Sequence, residues 1–184
     1  EEAMILAETG THVASAPGYG QVNGRCPIPE LIGLGANVVI TTDGNSPSTP
    51  FDLLPSVRET QLIQRMLCHD PFLLPNGKTL EMITIDAAKA LGWEDEIGSL
   101  EPGKQADIAV MNLWQPHLVP NIMPVHRVIC EAVGHDFETV VVAGHVLMEG
   151  RRVLSVDEDE VLREGEAEAR RLIERAGLER HMAL

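Results

Sequence analysis

The run of residues 36–43 constrains the fold more than any other part of this 184-residue sequence. It reads Ala-Asn-Val-Val-Ile-Thr-Thr-Asp, and it lacks the alternation of apolar and polar positions that a half-exposed strand shows. A short β-branched run of this kind is typical of a parallel strand that is buried on both faces, and parallel strands need helical crossovers. The sequence therefore predicts an α/β fold in which Asp43 and Gly44 follow the carboxyl end of a buried strand.

The residues before this run complete a βαβ pattern. We expect a helix that ends at Gly10, a strand over residues 11–15, an irregular segment over 16–26 and a short helix over 29–34. This order favours a right-handed crossover between two parallel strands. An irregular segment of this length in a compact domain often has a function. This one follows the end of a predicted strand.

Two helical stretches follow the buried strand. Thr49 and Pro50 are residue types that favour a helix cap and a first helical position, and apolar side chains then recur at helical spacing as far as His69. The second stretch covers residues 80–91, where Thr84 marks a break. Both helices belong to the α/β part of the chain.

From residue 97 onward the pattern changes to short apolar runs separated by glycine-containing turns. This spacing predicts a meander of antiparallel strands. The predicted strands cover residues 107–113, 126–133, 138–142, 146–148 and 152–154.

A charged amphipathic helix is predicted at the end of the chain. Ser155 and Glu158 have the spacing of a capping box, and the apolar residues that follow share one helical face. Those residues are Val161, Leu162, Leu172, Ile173 and Ala176. The patterns together divide the chain into three segments, residues 1–96, 97–156 and 157–184.

Composition excludes several classes of partner. The net charge of −14 opposes binding to nucleic acid or to an anionic membrane surface, because both are themselves negatively charged. The sequence contains neither an apolar stretch of about 18 residues nor a signal peptide, so we expect a cytoplasmic protein. Three widely spaced cysteines do not predict a disulfide framework or a zinc ribbon. Because the chain begins with Glu1 rather than methionine, we expect it to be part of a longer protein.

Asp43 has no obvious partner in the sequence. None of the seven histidines belongs to a His-x-His or His-Glu-x-x-His pattern, and each is explained as an ordinary core or surface residue. Neither a Gly-x-Ser-x-Gly elbow nor a phosphate loop is present. Aspartate before glycine is also a common turn pair. The residues alone therefore leave two interpretations of Asp43, a turn residue or a catalytic carboxylate.

Four motifs carry a family resemblance that spans residues 5–156. They are Thr42-Asp43-Gly44, then Phe51-Asp52-Leu53 with Arg58, then residues 87–92, and above all Ile97-Gly98-Ser99-Leu100-Glu101-Pro102-Gly103-Lys104-Gln105-Ala106-Asp107. With these motifs the chain resembles the C-terminal part of the amidohydrolase superfamily. The similarity is to the branch of aminohydrolases and chlorohydrolases that includes s-triazine hydrolases, N-ethylammeline chlorohydrolase and the nucleoside and guanine deaminases.

The resemblance implies a fold for each segment. Residues 1–96 would be the last two strands and helices of a (β/α)8 TIM-type barrel, residues 97–156 a portion of a small antiparallel β-sandwich, and residues 157–184 a C-terminal helix and tail. Asp43 would end the eighth barrel strand, where it would bind a divalent metal, zinc or alternatively iron, and take a proton from the attacking water. Ser15 and Asn45 would contact substrate, although residues 15–20 depart from the pattern of many relatives, which is His or Tyr followed by Pro-x-Ser-Asn.

The resemblance also implies a reaction and a set of partners. The substrate would be a small N-heterocycle that loses an amino group or chloride to a metal-activated water. The histidine ligands of the family lie on earlier strands, so we expect this chain to be inactive without a missing N-terminal barrel segment or another copy of the chain, and we expect a homo-oligomer. The alternative is an inactive remnant that serves as an oligomeric or binding module.

Overall fold

Two sheets are present among residues 1–18, 24–44 and 51–182, which are the residues that the computed structural model describes. One sheet has two parallel strands and the other has four antiparallel strands. Helices surround the parallel pair, so the mixed α/β class predicted from the sequence is confirmed.

The first sheet is the predicted βαβ unit. Helix α1 (Glu2–Glu8) leads to strand β1 (Val13–Ser15), and helix α2 (Ile28–Gly33) leads to strand β2 (Val38–Ile40). The two strands are parallel, with Ser15 opposite Ile40. All three residues of β2 are buried, as the run of β-branched side chains predicts.

The next helix begins later than predicted. Helix α3 (Leu53–Cys68) has Asp52 as its N-cap, and the Asp52 carboxylate accepts a hydrogen bond from Leu54 N at 3.1 Å. The predicted start at Thr49 is therefore wrong, because Phe51 and Asp52 are not helical and the Asp52 carboxylate caps the helix at Leu54 N. Thr49 and Pro50 lie outside the described residues.

The second helical stretch is divided as the sequence indicates. Helices α4 (Asn76–Met82) and α5 (Ile85–Leu91) meet at Thr84, which has a non-helical backbone and occupies the N-cap position of α5 without a side-chain capping bond. The break predicted at Thr84 is confirmed.

The second sheet is a meander in which each strand pairs with the next along the chain. Its strands are β3 (Ile108–Met111), β4 (Phe137–Val142), β5 (His145–Glu149) and β6 (Arg152–Val153). The described part of the chain contains only this one layer of the expected β-sandwich. Most of its side chains are exposed or half-buried.

The strand predicted over residues 126–133 is wrong. Those residues form most of helix α6 (Pro124–Cys130), whose first turn accommodates Pro124. Ile129 of α6 is fully buried, and the Arg58 guanidinium donates to the carbonyl oxygens of Ala132 at 2.6 Å and Ile129 at 3.4 Å. Packing and this cap outweigh the β propensity of the valine and isoleucine residues.

Helix α6 also connects two predicted segments. Ile129 belongs to the main apolar cluster together with Ile28, Val38, Val57 and Met82, which come from α2, β2, α3 and α4. A second cluster joins Leu54 of α3 to residues beyond position 110. The change of sequence pattern near residue 97 is therefore not a change of hydrophobic core.

The C-terminal helix α7 (Glu158–Ala176) is capped by Asp157, whose carboxylate accepts from Glu160 N at 3.0 Å. The capping box predicted for Ser155 and Glu158 is wrong, because the Glu158 carboxylate accepts instead from Val153 N at 3.3 Å. The predicted apolar face is exposed, with Leu162 at 70%. A short helix, α8 (Glu179–Met182), follows. Across the described ranges, no helix is both long and apolar enough to span a membrane.

Candidate functional site

The carboxyl ends of β1 and β2 form the edge where the sequence places its candidate site. Ser15 is the last residue of β1, and Thr41 N donates to Ser15 O at 3.0 Å just beyond the end of β2. Because the strands are parallel and in register, the segments that follow Ser15 and Ile40 leave the sheet at the same end. Ser15 and Asp43 are thus brought to one edge, as predicted.

Asp43 occupies a turn with a left-handed backbone, at φ 61°. Its main-chain N–H donates to Thr41 Oγ1 at 3.3 Å, and its carboxylate Oδ1 accepts from Gly44 N at 2.7 Å. Aspartate tolerates this conformation because its short side chain can hydrogen-bond locally, whereas bulky residues do not. Asp43 therefore has the geometry of a turn residue and lies beyond the carboxyl end of β2, and its interpretation as a catalytic carboxylate stays a prediction.

The Asp43 carboxylate is exposed and has capacity for another partner. Among the described residues, only Gly44 donates to it, and the bond goes to Oδ1. A carboxylate oxygen of this kind can bind a cation or accept a proton.

Ser15 lies at the wall of a small cleft. It is 9% exposed, and the cleft is also lined by Pro17, Arg25, Thr60 and Gln64. The cavity volume is about 20 Å³, which is enough for about one water molecule and too little for a heterocyclic substrate. The described residues by themselves do not enclose a substrate pocket at Ser15.

Arg25, which also lines the cleft, forms an ion pair with Glu30. The Arg25 guanidinium donates to both Glu30 carboxylate oxygens, at 2.6 and 2.5 Å, and to Gln64 Oε1 at 3.4 Å. The hydrogen bond to Glu30 raises the pKa of Arg25, and the hydrogen bond from Arg25 lowers the pKa of Glu30. Both groups therefore stay charged at the mouth of the cleft.

The polar residues of this cleft were not predicted from the sequence. Thr60 and Gln64 line the cleft, and they are buried on one face of α3 together with Ser56 and Gln61, which lie outside the cleft. Their helical spacing is visible in the sequence, but a polar stripe usually faces solvent, and only the packing of α3 identifies it as an inner face.

Asn45, the second residue expected to contact substrate, lies outside the described residues.

The histidines do not complete a metal site in the part of the chain that is described. Several have structural partners instead: His12 with Asn37, His117 with Asp136, His126 with Asn76, and His135 with Arg151. Within that part, no three side chains of the types His, Cys, Asp and Glu are grouped to hold a metal ion. The donor chemistry of Asp43 thus fits one ligand of a divalent metal and not a complete set.

A separate ionic cluster lies at the amino-terminal end of β2, whereas Asp43 lies beyond its carboxyl end. Asp86 receives hydrogen bonds from Lys78 at 2.5 Å and Lys89 at 3.1 Å, and Asn37 donates to the Asp86 carbonyl oxygen at 2.9 Å. Burial raises the pKa of Asp86, but the two lysines outweigh it and the net pKa lies below its ordinary value. Because Asn37 precedes β2, this cluster supports the far end of the sheet and not the candidate site.

Comparison with known sequences gives one family. The sequence model of the amidohydrolase family matches residues 2–147. A 5-methylthioadenosine/S-adenosylhomocysteine deaminase from Desulforudis audaxviator (strain MP104C) is 42% identical over 94% of this chain and 41% of its own length. A 5'-deoxyadenosine deaminase from Methanosarcina acetivorans is 36% identical over 84% of this chain and 35% of its own length. The chain thus spans about two fifths of the length of such relatives.

Solved structures agree with the sequence comparison. An adenosine deaminase from Xanthomonas campestris with bound zinc superposes with a TM-score of 0.87 and 28% identity, over 95% of this chain and 39% of that one. An atrazine chlorohydrolase from Arthrobacter aurescens TC1, complexed with zinc, superposes with a TM-score of 0.82 and 28% identity, over 90% of this chain and 37% of that one.

Proposed function

This chain belongs to the amidohydrolase family, and from that premise we propose that it is the C-terminal part of a metal-dependent hydrolase. It would contribute the last two strands of the catalytic barrel, with Asp43 as one metal ligand and as the group that takes a proton from water. The observation that carries the proposal is the position of Asp43 three residues after the buried parallel strand β2, where Gly44 is the only described residue that donates to its carboxylate.

The favoured reaction is deamination of an adenosine-type nucleoside. The oxygen of water bonds to the ring carbon that bears the amino group, the carbon–nitrogen bond breaks, and ammonia leaves. Similarity favours this over dechlorination, because the chain is 42% identical to a deaminase of modified adenosines and 28% identical to the atrazine chlorohydrolase. Loss of chloride from an N-heterocycle is the alternative within the same mechanism.

Asp43 would act through both of its oxygens. A bound divalent metal, zinc or alternatively iron, would lower the pKa of water from about 15.7 to about 7. The Asp43 carboxylate would hold the ion, accept the proton of the attacking water and return it to the leaving amine. The hydrogen bond from Gly44 N at 2.7 Å would fix the orientation of the carboxylate.

Two further residues would contact the substrate. We assign these contacts to Ser15, at the end of β1, and to Asn45, two residues after Asp43. Ser15 is supported by its place on the cleft wall beside Arg25, and Asn45 by its place in the sequence alone.

The complete site would need residues from outside this chain. Two observations support this. The chain covers only 41% of the length of the Desulforudis audaxviator deaminase, and the cleft at Ser15 is too small for a heterocyclic substrate. We propose that a preceding barrel segment, or another copy of the chain, supplies the missing ligands and pocket walls. Alone, the 184 residues would be inactive, and the assembled enzyme would be a cytoplasmic homo-oligomer.

One observation favours a second candidate, a binding module without catalysis. The apolar face of α7 is exposed, including Val161 at 53% and Leu172 at 57%. A face of this kind is a contact surface in proteins that associate.

A chimaeric enzyme tests the proposed function. The N-terminal three fifths of the Desulforudis audaxviator deaminase are joined to this chain, and release of ammonia from adenosine, 5'-methylthioadenosine and S-adenosylhomocysteine is measured with zinc present. We expect deamination of at least one nucleoside, and no activity from the 184 residues alone. A chimaera that folds and binds zinc but releases neither ammonia from nucleosides nor chloride from a chlorotriazine would contradict the proposal and favour the binding module.

A further inference from the structure

Helix α7 carries an apolar stripe on an otherwise charged surface. Its four large aliphatic side chains lie on one side of the helix together with Gly165, Ala169 and Ala176, within an arc of about 120°. The four are Val161, Leu162, Leu172 and Ile173. No residue of α7 is buried, and Leu162 and Leu172 are 70% and 57% exposed. A stripe of this kind on a polar helix is typical of a surface that packs against a partner.

The order of side chains along the stripe is the same in both directions. Two small residues lie between two leucines in the run Leu162, Gly165, Ala169 and Leu172. A second helix of the same sequence that runs the opposite way can therefore set its leucines level with these leucines and its small residues level with the small ones. The small residues let the two backbones approach closely, and the leucines fill the contact on either side. The stripe is thus complementary in shape to a copy of itself.

Charged residues on one flank of the stripe favour the antiparallel direction. Along this flank, Glu164 and Glu168 are followed by Arg171 and Arg175. In an antiparallel pair the flank faces its own copy, so the acidic end of one helix lies along the basic end of the other. Glu168 and Arg171 form an exposed ion pair within the helix, which is weak, whereas Glu164 and Arg175 take part in no ion pair among the described residues.

The other flank of the stripe offers no such match. Its acidic and basic residues alternate, in the order Asp159, Arg163, Glu166 and Arg170. In a parallel pair the two different flanks face each other. Each acidic or basic end of the first flank would then meet both signs of charge, so the parallel direction gains no complementarity.

We propose that α7 pairs with α7 of a second copy of this chain, in the antiparallel direction and through the apolar stripe. Leu162 of one copy lies level with Leu172 of the other, and Gly165 lies level with Ala169. The contact is short, because α7 is about 28 Å long, so the dimer forms and dissociates with protein concentration. The pairing specifies one contact surface for the homo-oligomer that we have proposed, but it stands on α7 alone and involves neither Asp43 nor a metal.

Sedimentation equilibrium of the whole chain tests whether two copies associate. We expect a reversible dimer of the 20.1 kDa chain. Leu172→Gln weakens dimerisation at least tenfold, because a two-fold pair loses the leucine twice. Glu160→Gln, on the opposite side of the helix, is the control and leaves the dimer unchanged. A chain that stays monomeric, or a dimer that Leu172→Gln leaves unchanged, would overturn the proposal.

Charge reversal tests the direction of the pair. Glu164→Arg with Glu168→Arg makes the first flank wholly basic, and Arg171→Glu with Arg175→Glu makes it wholly acidic. We expect each double variant alone to dimerise at least tenfold more weakly than the unmodified sequence, and an equimolar mixture of the two to form a heterodimer. Circular dichroism checks that α7 stays helical in each variant.

The matched control for charge reversal is Glu160→Arg with Glu174→Arg, on the side of α7 away from the stripe. We expect this double variant to dimerise like the unmodified sequence. A mixture that associates no better than its separate components would overturn the antiparallel pairing.

The same reversals in the chimaera with the N-terminal part of the Desulforudis audaxviator deaminase decide between two occupants of the stripe. We expect the chimaera to dimerise and each double reversal to weaken the dimer. A chimaera whose assembly is unaffected by the reversals would assign the stripe to the preceding barrel segment and overturn the pairing of two copies. Neither result depends on deamination, so the pairing and the proposed function can fail separately.

Discussion

At the scale of the residue, Asp43 shows what a sequence reveals about a site and what it does not. Its position after a buried strand follows from the β-branched run before it, and the prediction is confirmed. The left-handed backbone at φ 61° and the hydrogen bond from Gly44 N cannot be predicted from the sequence, because they depend on how the chain leaves the sheet. Its role as a metal ligand stays a prediction, since ligands from several strands are brought together only by the complete barrel.

Two glycines in the motif of residues 97–107 make different demands on the backbone. Gly98 and Gly103 both have positive φ, at 90° and 99°. A Cβ at Gly98 would lie 2.7 Å from Ala88 Cβ and 3.0 Å from Ile85 Cα, whereas a Cβ at Gly103 meets nothing within 4 Å.

We therefore expect Gly98→Ala to lower the free energy of unfolding by about 1–3 kcal/mol more than Gly103→Ala, because only Gly98→Ala adds a clash to the backbone strain. Urea denaturation of the two variants measures the difference. Equal destabilisation would contradict the close packing of Gly98 on α5.

A buried carboxylate gives a pH dependence with a defined sign. Burial raises the pKa of Asp136, but the hydrogen bonds from His117 and from Val133 N lower it by more. The net pKa is therefore below the ordinary value. A carboxyl group whose pKa is lower in the folded state stabilises the protein above the unfolded pKa, about 3.9, and this contribution is lost as the pH falls through the folded pKa.

Asp136→Asn should therefore lower the unfolding free energy at pH 7 by about 1–3 kcal/mol and weaken the loss of stability below about pH 4. Urea denaturation at a series of pH values checks this, with the exposed Asp95→Asn as the control. An unchanged acid profile in Asp136→Asn would contradict the assignment.

At the scale of the element, helices and strands are predictable where local pattern and packing agree. The βαβ unit, the break at Thr84 and the last three strands of the meander follow from apolar spacing and turn residues. Residues 126–133 do not, because their valine and isoleucine content favours a strand while the buried position of Ile129 and the Arg58 cap select a helix. The starts of α3 and α7 were also predicted too early, since Asp52 and Asp157 are the N-cap residues of these helices.

The two aspartate caps should differ in their effect on stability. Asp52 caps α3 and also accepts from Gly134 N at 2.8 Å, which joins the helix to the segment before β4. Asp157 caps α7, none of whose residues is buried.

Asp52→Ala should lower the free energy of global unfolding by about 1–2 kcal/mol, whereas Asp157→Ala should reduce helicity with little change in the unfolding midpoint. Circular dichroism during thermal and urea denaturation measures both quantities. A larger shift of the midpoint in Asp157→Ala would show that α7 packs more tightly than this account holds.

At the scale of the whole molecule, the resemblance to an amidohydrolase predicted the family and the mixed α/β fold. The shared core did not follow from the sequence: Ile129 packs with residues of α2, β2, α3 and α4 across the boundary expected at residue 97. Sequence patterns report local periodicity, and such a boundary marks a change of periodicity rather than a gap in packing. The chain spans about two fifths of the length of its relatives. The exposed apolar residues on α7 and the small size of the cleft at Ser15 are consistent with that coverage.

We have proposed that Asp43 is the proton acceptor and a metal ligand of the assembled enzyme. The most direct test compares Asp43→Asn with the exposed Asp95→Asn in the chimaera that joins this chain to the N-terminal part of the Desulforudis audaxviator deaminase. We predict that Asp43→Asn lowers kcat for nucleoside deamination at least about a hundredfold and reduces bound zinc, while Asp95→Asn changes neither. Deamination at an undiminished rate in Asp43→Asn would contradict the account.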